Sequence, residues 1–167
     1  MSDEAKVFGL PLENGRWLYV VLGLIMNVCL GAVYAYSIFL GPIKQAFNSS
    51  AFLSILPFMV FLAFFAILMF FGGRLMEKLG PRNVGIIGGI IVGLGWLLSS
   101  FATNIWFLTM TYGVIAGSGV GLVYGCPIAV GAKWFPDKKG LAVGLIVAGF
   151  GGSALITGKI ANAMIPS

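Results

Sequence analysis

The stretch GGRLMEKLGPRN, Gly72 to Asn83, decides how this chain is read. It gathers Arg74, Glu77, Lys78 and Arg82 in a protein of which only 9% is charged. Glycines open it, and Gly80 followed by Pro81 marks a turn at its centre. A mainly apolar run, Phe52 to Phe71, precedes it, and another, Val84 to Ala102, comes after it. Each has the roughly 20 residues that a helix needs to cross a bilayer. A basic, glycine-bracketed turn between two such runs belongs at a membrane surface, and its Lys and Arg content marks which surface.

Three further runs qualify: Trp17 to Leu40, Ile105 to Ala132 and Leu141 to Ile165. The fold class expected is an all-α integral membrane protein with five transmembrane helices, at about 17–40, 52–71, 84–102, 105–132 and 141–165. Residues 1–16 form a polar tail, and 166–167 are a short end. The apolar run after residue 16 is too long for a signal-peptide core and no cleavage site closes it, so it is retained as the first helix. Open sheets are excluded because lipid cannot satisfy their edges. Gly41-Pro42 is expected to end the first helix, with Asn48-Ser49-Ser50 offering a cap to the second. The short Thr103-Asn104 link makes the third and fourth helices antiparallel neighbours. Pro136 ends the fourth, and Asp137 is placed to cap the fifth.

Composition narrows the function. The chain is 59% hydrophobic with a mean hydropathy of +1.03, far from the roughly 45–50% apolar content of soluble domains. The net charge of +5 does not point to nucleic acid, because the positive residues sit in short loops. Lys6, Arg16, Arg74, Lys78, Arg82, Lys133, Lys138 and Lys139 lie on one side and Lys44 on the other. Lys159 falls inside the fifth run. The excess puts the N-terminus in the cytoplasm of a multi-pass cell-membrane (plasma or inner membrane) protein. Lys159 either snorkels to the headgroups or attracts anions at the outer mouth. There is no histidine, and none of the five carboxylates lies in a span, so an enzyme is not expected. Cys29 and Cys126 have no metal-ligand spacing and read as small buried hydrophobes. No cofactor or metal is expected.

Small residues recur at four-residue spacing: Gly85, Gly89 and Gly93 in the third run, Gly113, Gly117, Gly121 and Gly125 in the fourth, and Gly144, Ala148 and Gly152 in the fifth. Such stripes let helix backbones approach closely. Polar groups in spans are costly and tend to be functional. Asn27, Gly31, Tyr34 and Ser37 share one arc of an ideal helix, and Tyr124 stands beside Gly125-Cys126-Pro127, where proline frees a carbonyl. Asn27, Tyr34, Ser37 and Tyr124 are the candidate substrate-path residues. The other reading makes them helix–helix hydrogen bonds, with Tyr36 and Phe39 in an interfacial belt.

At Gly73, Glu77, Lys78, Gly80 and Arg82 the sequence resembles the signature loop between helices two and three of the major facilitator superfamily. Glu77 stands where aspartate is usual, and Pro81 stands at a commonly basic position. Three further segments are similar to the oxalate/formate antiporter family and its monocarboxylate-transporter relatives. They are GAVYAYSIF from Gly31, YGCPI from Tyr124 and WFPDKKGLAVG from Trp134. The usual tryptophan two residues after Tyr34 is Tyr36 here. The resemblance implies a twelve-helix secondary carrier of small carboxylate anions, such as oxalate, formate, lactate or pyruvate, working by alternating access. Exchange and proton symport both fit it. It makes residues 73–82 a cytoplasmic gating loop against an opposing half, and it places the anion's cationic partners in that half. Five helices are an incomplete first six-helix half, so the chain is expected to be an N-terminal portion lacking its C-terminal half. The alternatives are a non-transporting membrane fragment or small assembly protein, and a facilitator of another small solute.

Overall fold

The computed structural model describes residues 6, 7 and 10–164, with side chains over 15–160. A two-residue pairing of Lys6–Val7 with Leu10–Pro11 precedes an otherwise helical chain. Among the described residues four helical stretches are long and apolar enough to cross a membrane: Gly15–Ala46, Ala51–Ser99, Ile105–Trp134 and Lys139–Ile160. The last of these belongs to a helix that spans Lys139–Met164; the expected end at Ile165 and residues 166–167 lie outside the described residues.

The stretch Ala51–Ser99 is two helices. Its backbone leaves helical geometry at Gly80 alone, where φ is 79° and ψ is 156°. The packing against the fourth span proves the reversal. Along residues 51–79 the partners rise together, Phe61 at Gly117, Phe65 at Gly121 and Met76 at Gly125. Along residues 81–99 they run the other way, Gly88 at Gly119 and Gly95 at Ala116. The second and third spans are therefore antiparallel, and the described residues make the five crossings that the hydropathy predicts. The expected loop Gly72–Asn83 shrinks to one residue. Glycine reaches positive φ without a Cβ clash, Pro81 suits the first turn of a helix, and Asn83 donates from Nδ2 to the Leu79 carbonyl at 2.9 Å, satisfying a group the helix end leaves free.

The first span differs from the expectation at both ends. It is helical from Leu12, so residues 12–16 are not a tail, and it runs on to Ala46 through Pro42. Pro42 forfeits its own N–H bond, yet the chain on either side of it stays helical here. The helix ends where Asn48 adopts φ 44°, a conformation asparagine tolerates. Ser50 then caps the second span by accepting from the Leu53 N–H at 3.3 Å. Inside the first span the turn tightens to a 3-10 helix over Gly31–Ala35. The fourth span widens to a π-helix over Thr109–Ala116, where Thr109 and Thr111 hydroxyls donate to the carbonyls of Ile105 and Phe107 at 2.8 and 2.9 Å.

Backbone contact at glycine holds the bundle together. A Cβ at Gly117 would stand 2.8 Å from the Phe61 carbonyl oxygen, and one at Gly121 would stand 2.6 Å from that of Phe65. Gly113 lies as close to Val60, whereas Gly125 meets only the flexible end of Met76. In lipid, where apolar burial gives helices no advantage, such close packing supplies the association energy. The third- and fifth-span stripes are a correction. Gly85, Gly89, Gly93, Gly144 and Gly152 face open space, and Gly88, Gly95 and Gly149 make the close contacts instead. The faces turned away from the bundle carry Phe70, Ile90, Leu97 and Leu155, all exposed, which lipid accommodates.

At the end of the bundle that carries Gly80, a clasp joins the first span to the connection after the fourth. Arg16 Nη1 donates to Asp137 Oδ1 at 2.9 Å, and this is the one ion pair among the described residues. The Arg16 guanidinium also lies 4.6 Å from the centre of the buried Phe135 ring. Trp17 meets Phe135 edge-on, and Tyr19 stacks on Trp134 at 4.7 Å. Asp137 thus pairs across the molecule rather than serving as the expected cap. Desolvation opposes its charge, but its own backbone N–H, the Arg16 hydrogen bond and charge, and Lys138 hold the carboxyl below its ordinary value.

Candidate functional site

The first, fourth and fifth spans bring Tyr34 and Tyr124 against one ring, Phe150. The ring centres lie 5.3 Å and 4.8 Å from it, and both pairs are edge-on. Phe65 of the second span stacks on Phe150 at 6.0 Å and meets Tyr124 edge-on at 5.4 Å. Tyr34 is 43% exposed and Tyr124 is half-buried. Neither phenol hydroxyl has a hydrogen-bond partner among the described residues. Two O–H donors held on clamped rings, in a low-dielectric wall, suit an acceptor such as a carboxylate oxygen.

The other expected path residues separate from this pair. Asn27 is fully buried and donates from Nδ2 to the Ile146 carbonyl of the fifth span at 2.9 Å; its Oδ1 has no partner among the described residues. Ser37 is exposed, with its hydroxyl 3.5 Å from the Tyr34 carbonyl oxygen. The arc that Asn27 and Gly31 share with Tyr34 and Ser37 on an ideal helix is broken by the 3-10 turn. A 3-10 residue advances about 120° and an α residue about 100°, so a five-residue turn rotates the rest of the span by about 100°. The same rotation buries Tyr36, which is no belt residue. It donates to the Ser54 carbonyl at 2.7 Å and stacks on Tyr112 and Phe58 at 5.2 and 5.6 Å. Cys126 is buried as expected, whereas Cys29 is exposed.

Glu77, Lys78 and Arg82 are exposed on either side of Gly80, and none has an ion-pair partner among the described residues. Gly73 is part of the second span and meets nothing within 4 Å. A cavity of about 730 Å³ opens at the opposite end of the bundle, lined by Tyr36, Tyr112, Trp96 and Thr157 among others. Another of about 470 Å³ lies between Tyr19, Arg82 and Pro127. Tyr34 and Tyr124 line neither, because they sit on an open wall of the bundle.

Five apolar spans, the one-residue basic turn and the aromatic wall coincide with a family match: the model of the Major Facilitator Superfamily covers residues 17–167. The chain belongs to the Major Facilitator Superfamily. This superfamily member is 34% identical over 141 residues to the oxalate:formate antiporter of Oxalobacter formigenes, covering 84% of the chain and 34% of that protein. It is 38% identical over 95 residues to the apicoplast pyruvate carrier 1 of Toxoplasma gondii, covering 56% of the chain and 17% of the carrier. It is 40% identical over 74 residues to monocarboxylate transporter 9 of Gallus gallus, covering 44% of the chain and 15% of the transporter. The chain thus spans about a third of the antiporter's length and less of the other two. These relatives are an antiporter, a carrier and a transporter named for small organic anions, and the lipid bilayer is this facilitator's solvent.

Proposed function

We propose that this facilitator forms one wall of a secondary carrier of small carboxylate anions, working by alternating access. The observation that carries the reading is the pair of unengaged phenol hydroxyls, Tyr34 and Tyr124, set against Phe150 on an exposed wall. The names of the oxalate, pyruvate and monocarboxylate relatives support it. The anion takes two neutral donors from this wall and its countercharge from an opposing bundle. Asn27 and Ser37 flank the path without touching the anion: Asn27 ties the first span to the fifth, and Ser37 braces the Tyr34 backbone. The end bearing Gly80 faces the cytoplasm, and exposed Glu77, Lys78 and Arg82 meet the opposing bundle in one state of the cycle.

The test is uptake of radiolabelled oxalate, formate, lactate and pyruvate by vesicles expressing the complete reading frame. Uptake of at least one, reduced by Tyr34→Phe and Tyr124→Phe, supports the proposal. A frame that inserts normally and moves none of the four would redirect the search to another small solute. Counterflow at constant pH against uptake driven by an imposed proton gradient separates exchange from symport.

A further inference from the structure

We infer that Phe150 is a positioning residue, the shared ring that sets how Tyr34 and Tyr124 present their hydroxyls; the inference rests on the carboxylate reading above. Among the described residues it is the only aromatic side chain in contact with both phenols, at interplanar angles of 77° and 65°. Phe150 is itself 7% exposed, in the core with Leu30, Val120 and Val123. Its ring is therefore fixed, while Tyr34 sits at the surface of the same wall. A phenol O–H prefers to lie in the plane of its ring, so the direction in which it donates follows the ring plane that the neighbours allow. Edge-on contact is a preferred aromatic geometry, and an aliphatic side chain of similar bulk would fill the space without imposing it.

The backbone explains why a residue of the fifth span reaches between the first and the fourth. A Cβ at Gly31 would collide with the Phe150 carbonyl oxygen, and one at Gly149 would stand 2.6 Å from the Leu24 carbonyl oxygen. Two bare glycines, one on each span, bring the fifth span onto the first at the level of Phe150. The ring then projects into the gap beside Tyr124, backed by Phe65 at 14° to its plane. Tyr36, Tyr112 and Tyr19 have other partners, namely Phe58, Phe61 and Trp134, and serve as internal controls.

The experiment incorporates 3-fluorotyrosine into the protein in lipid nanodiscs. Its five tyrosines give five ¹⁹F resonances, assigned by single Tyr→Phe changes. Phe150→Leu is expected to move the Tyr34 and Tyr124 resonances and leave the other three in place. Phe150→Tyr, which keeps the ring and adds a sixth resonance of its own, is expected to restore both and also guards against a leucine variant that fails to fold. If neither resonance moves, or all five move together, Phe150 holds no special position and the inference is overturned. Uptake by the complete reading frame gives the second readout. Phe150→Leu is expected to raise KM for oxalate about tenfold, equivalent to one lost hydrogen bond, with little change in maximal rate. Shifted resonances with an unchanged KM would overturn the functional part of the inference. A wild-type frame that moves no carboxylate sinks the transport reading, while resonances that fail to move still overturn the positioning.

Discussion

Tyrosines 34 and 124 differ from Tyr36 in what their hydroxyls do. Tyr36 spends its donor on the Ser54 carbonyl, so Tyr36→Phe should cost about 0.5–1.5 kcal/mol of stability and leave transport affinity unchanged. Tyr34→Phe or Tyr124→Phe should leave the melting temperature nearly unchanged and raise KM for a carboxylate. A hydrogen bond to a charged group is worth about 1.5–3 kcal/mol, or roughly 10- to 100-fold; uptake kinetics and thermal unfolding in detergent separate the two outcomes. Gly80→Ala must hold a Cβ at φ 79° and should lower stability by about 1–3 kcal/mol. Tyr34 and Tyr124 are legible in the sequence because a phenol in an apolar run is conspicuous. Phe150 is not, being one of 14 phenylalanines, and only the approach of three spans singles it out. Asn27 is conspicuous too, yet polarity alone does not announce that its Nδ2 ties the first span to the Ile146 carbonyl.

Helices depart from their sequence pattern where their pitch changes. A wheel of fixed 100° steps carries Asn27, Tyr34 and Ser37 on one arc, but the 3-10 turn Gly31–Ala35 re-aims the remainder of the span. Nothing in GAVYA announces a 3-10 turn; it coincides with the tight meeting of Gly31 with the fifth span. The glycine stripes show a related limit. Spacing proposes a face, but only a neighbour makes it an interface. Gly117→Leu, opposed by the Phe61 backbone at 2.8 Å, should destabilise the bundle by about 1–3 kcal/mol or more. Gly85→Leu, which meets nothing within 4 Å, should be close to neutral by the same thermal assay. The clasp gives a pH prediction. The Asp137 carboxyl titrates below its ordinary value in the folded state, so the Arg16 pair stabilises fully above the ordinary aspartate range of about 3.9 and is lost as pH falls through the lower folded value. Fluorescence of Trp17 and Trp134 should change over that window in the native protein and lack the transition in Asp137→Asn.

For the whole molecule, the five crossings and their antiparallel order were legible because apolar length and loop charge are set by the bilayer rather than by tertiary contact. The sidedness rests on the same charges and can be checked directly. With Cys29 and Cys126 replaced, a cysteine introduced by Lys78→Cys should react with a membrane-impermeant thiol reagent from the cytoplasmic side alone, and one introduced by Lys44→Cys from the opposite side alone. The reversal at Gly80 also governs which changes in chain length the molecule can absorb. One residue added beside Gly80 would turn the third span by about 100° about its axis. That swings Gly88 and Gly95 away from Gly119 and Ala116 and presents Ile87 or Leu94 to the same backbone. The connection at residues 47–50, unlike the packed clasp at 135–138, has room to take an extra residue without rotating a span. An insertion should therefore be tolerated at residues 47–50 and rejected at Gly80, making this single residue the register pin of the bundle.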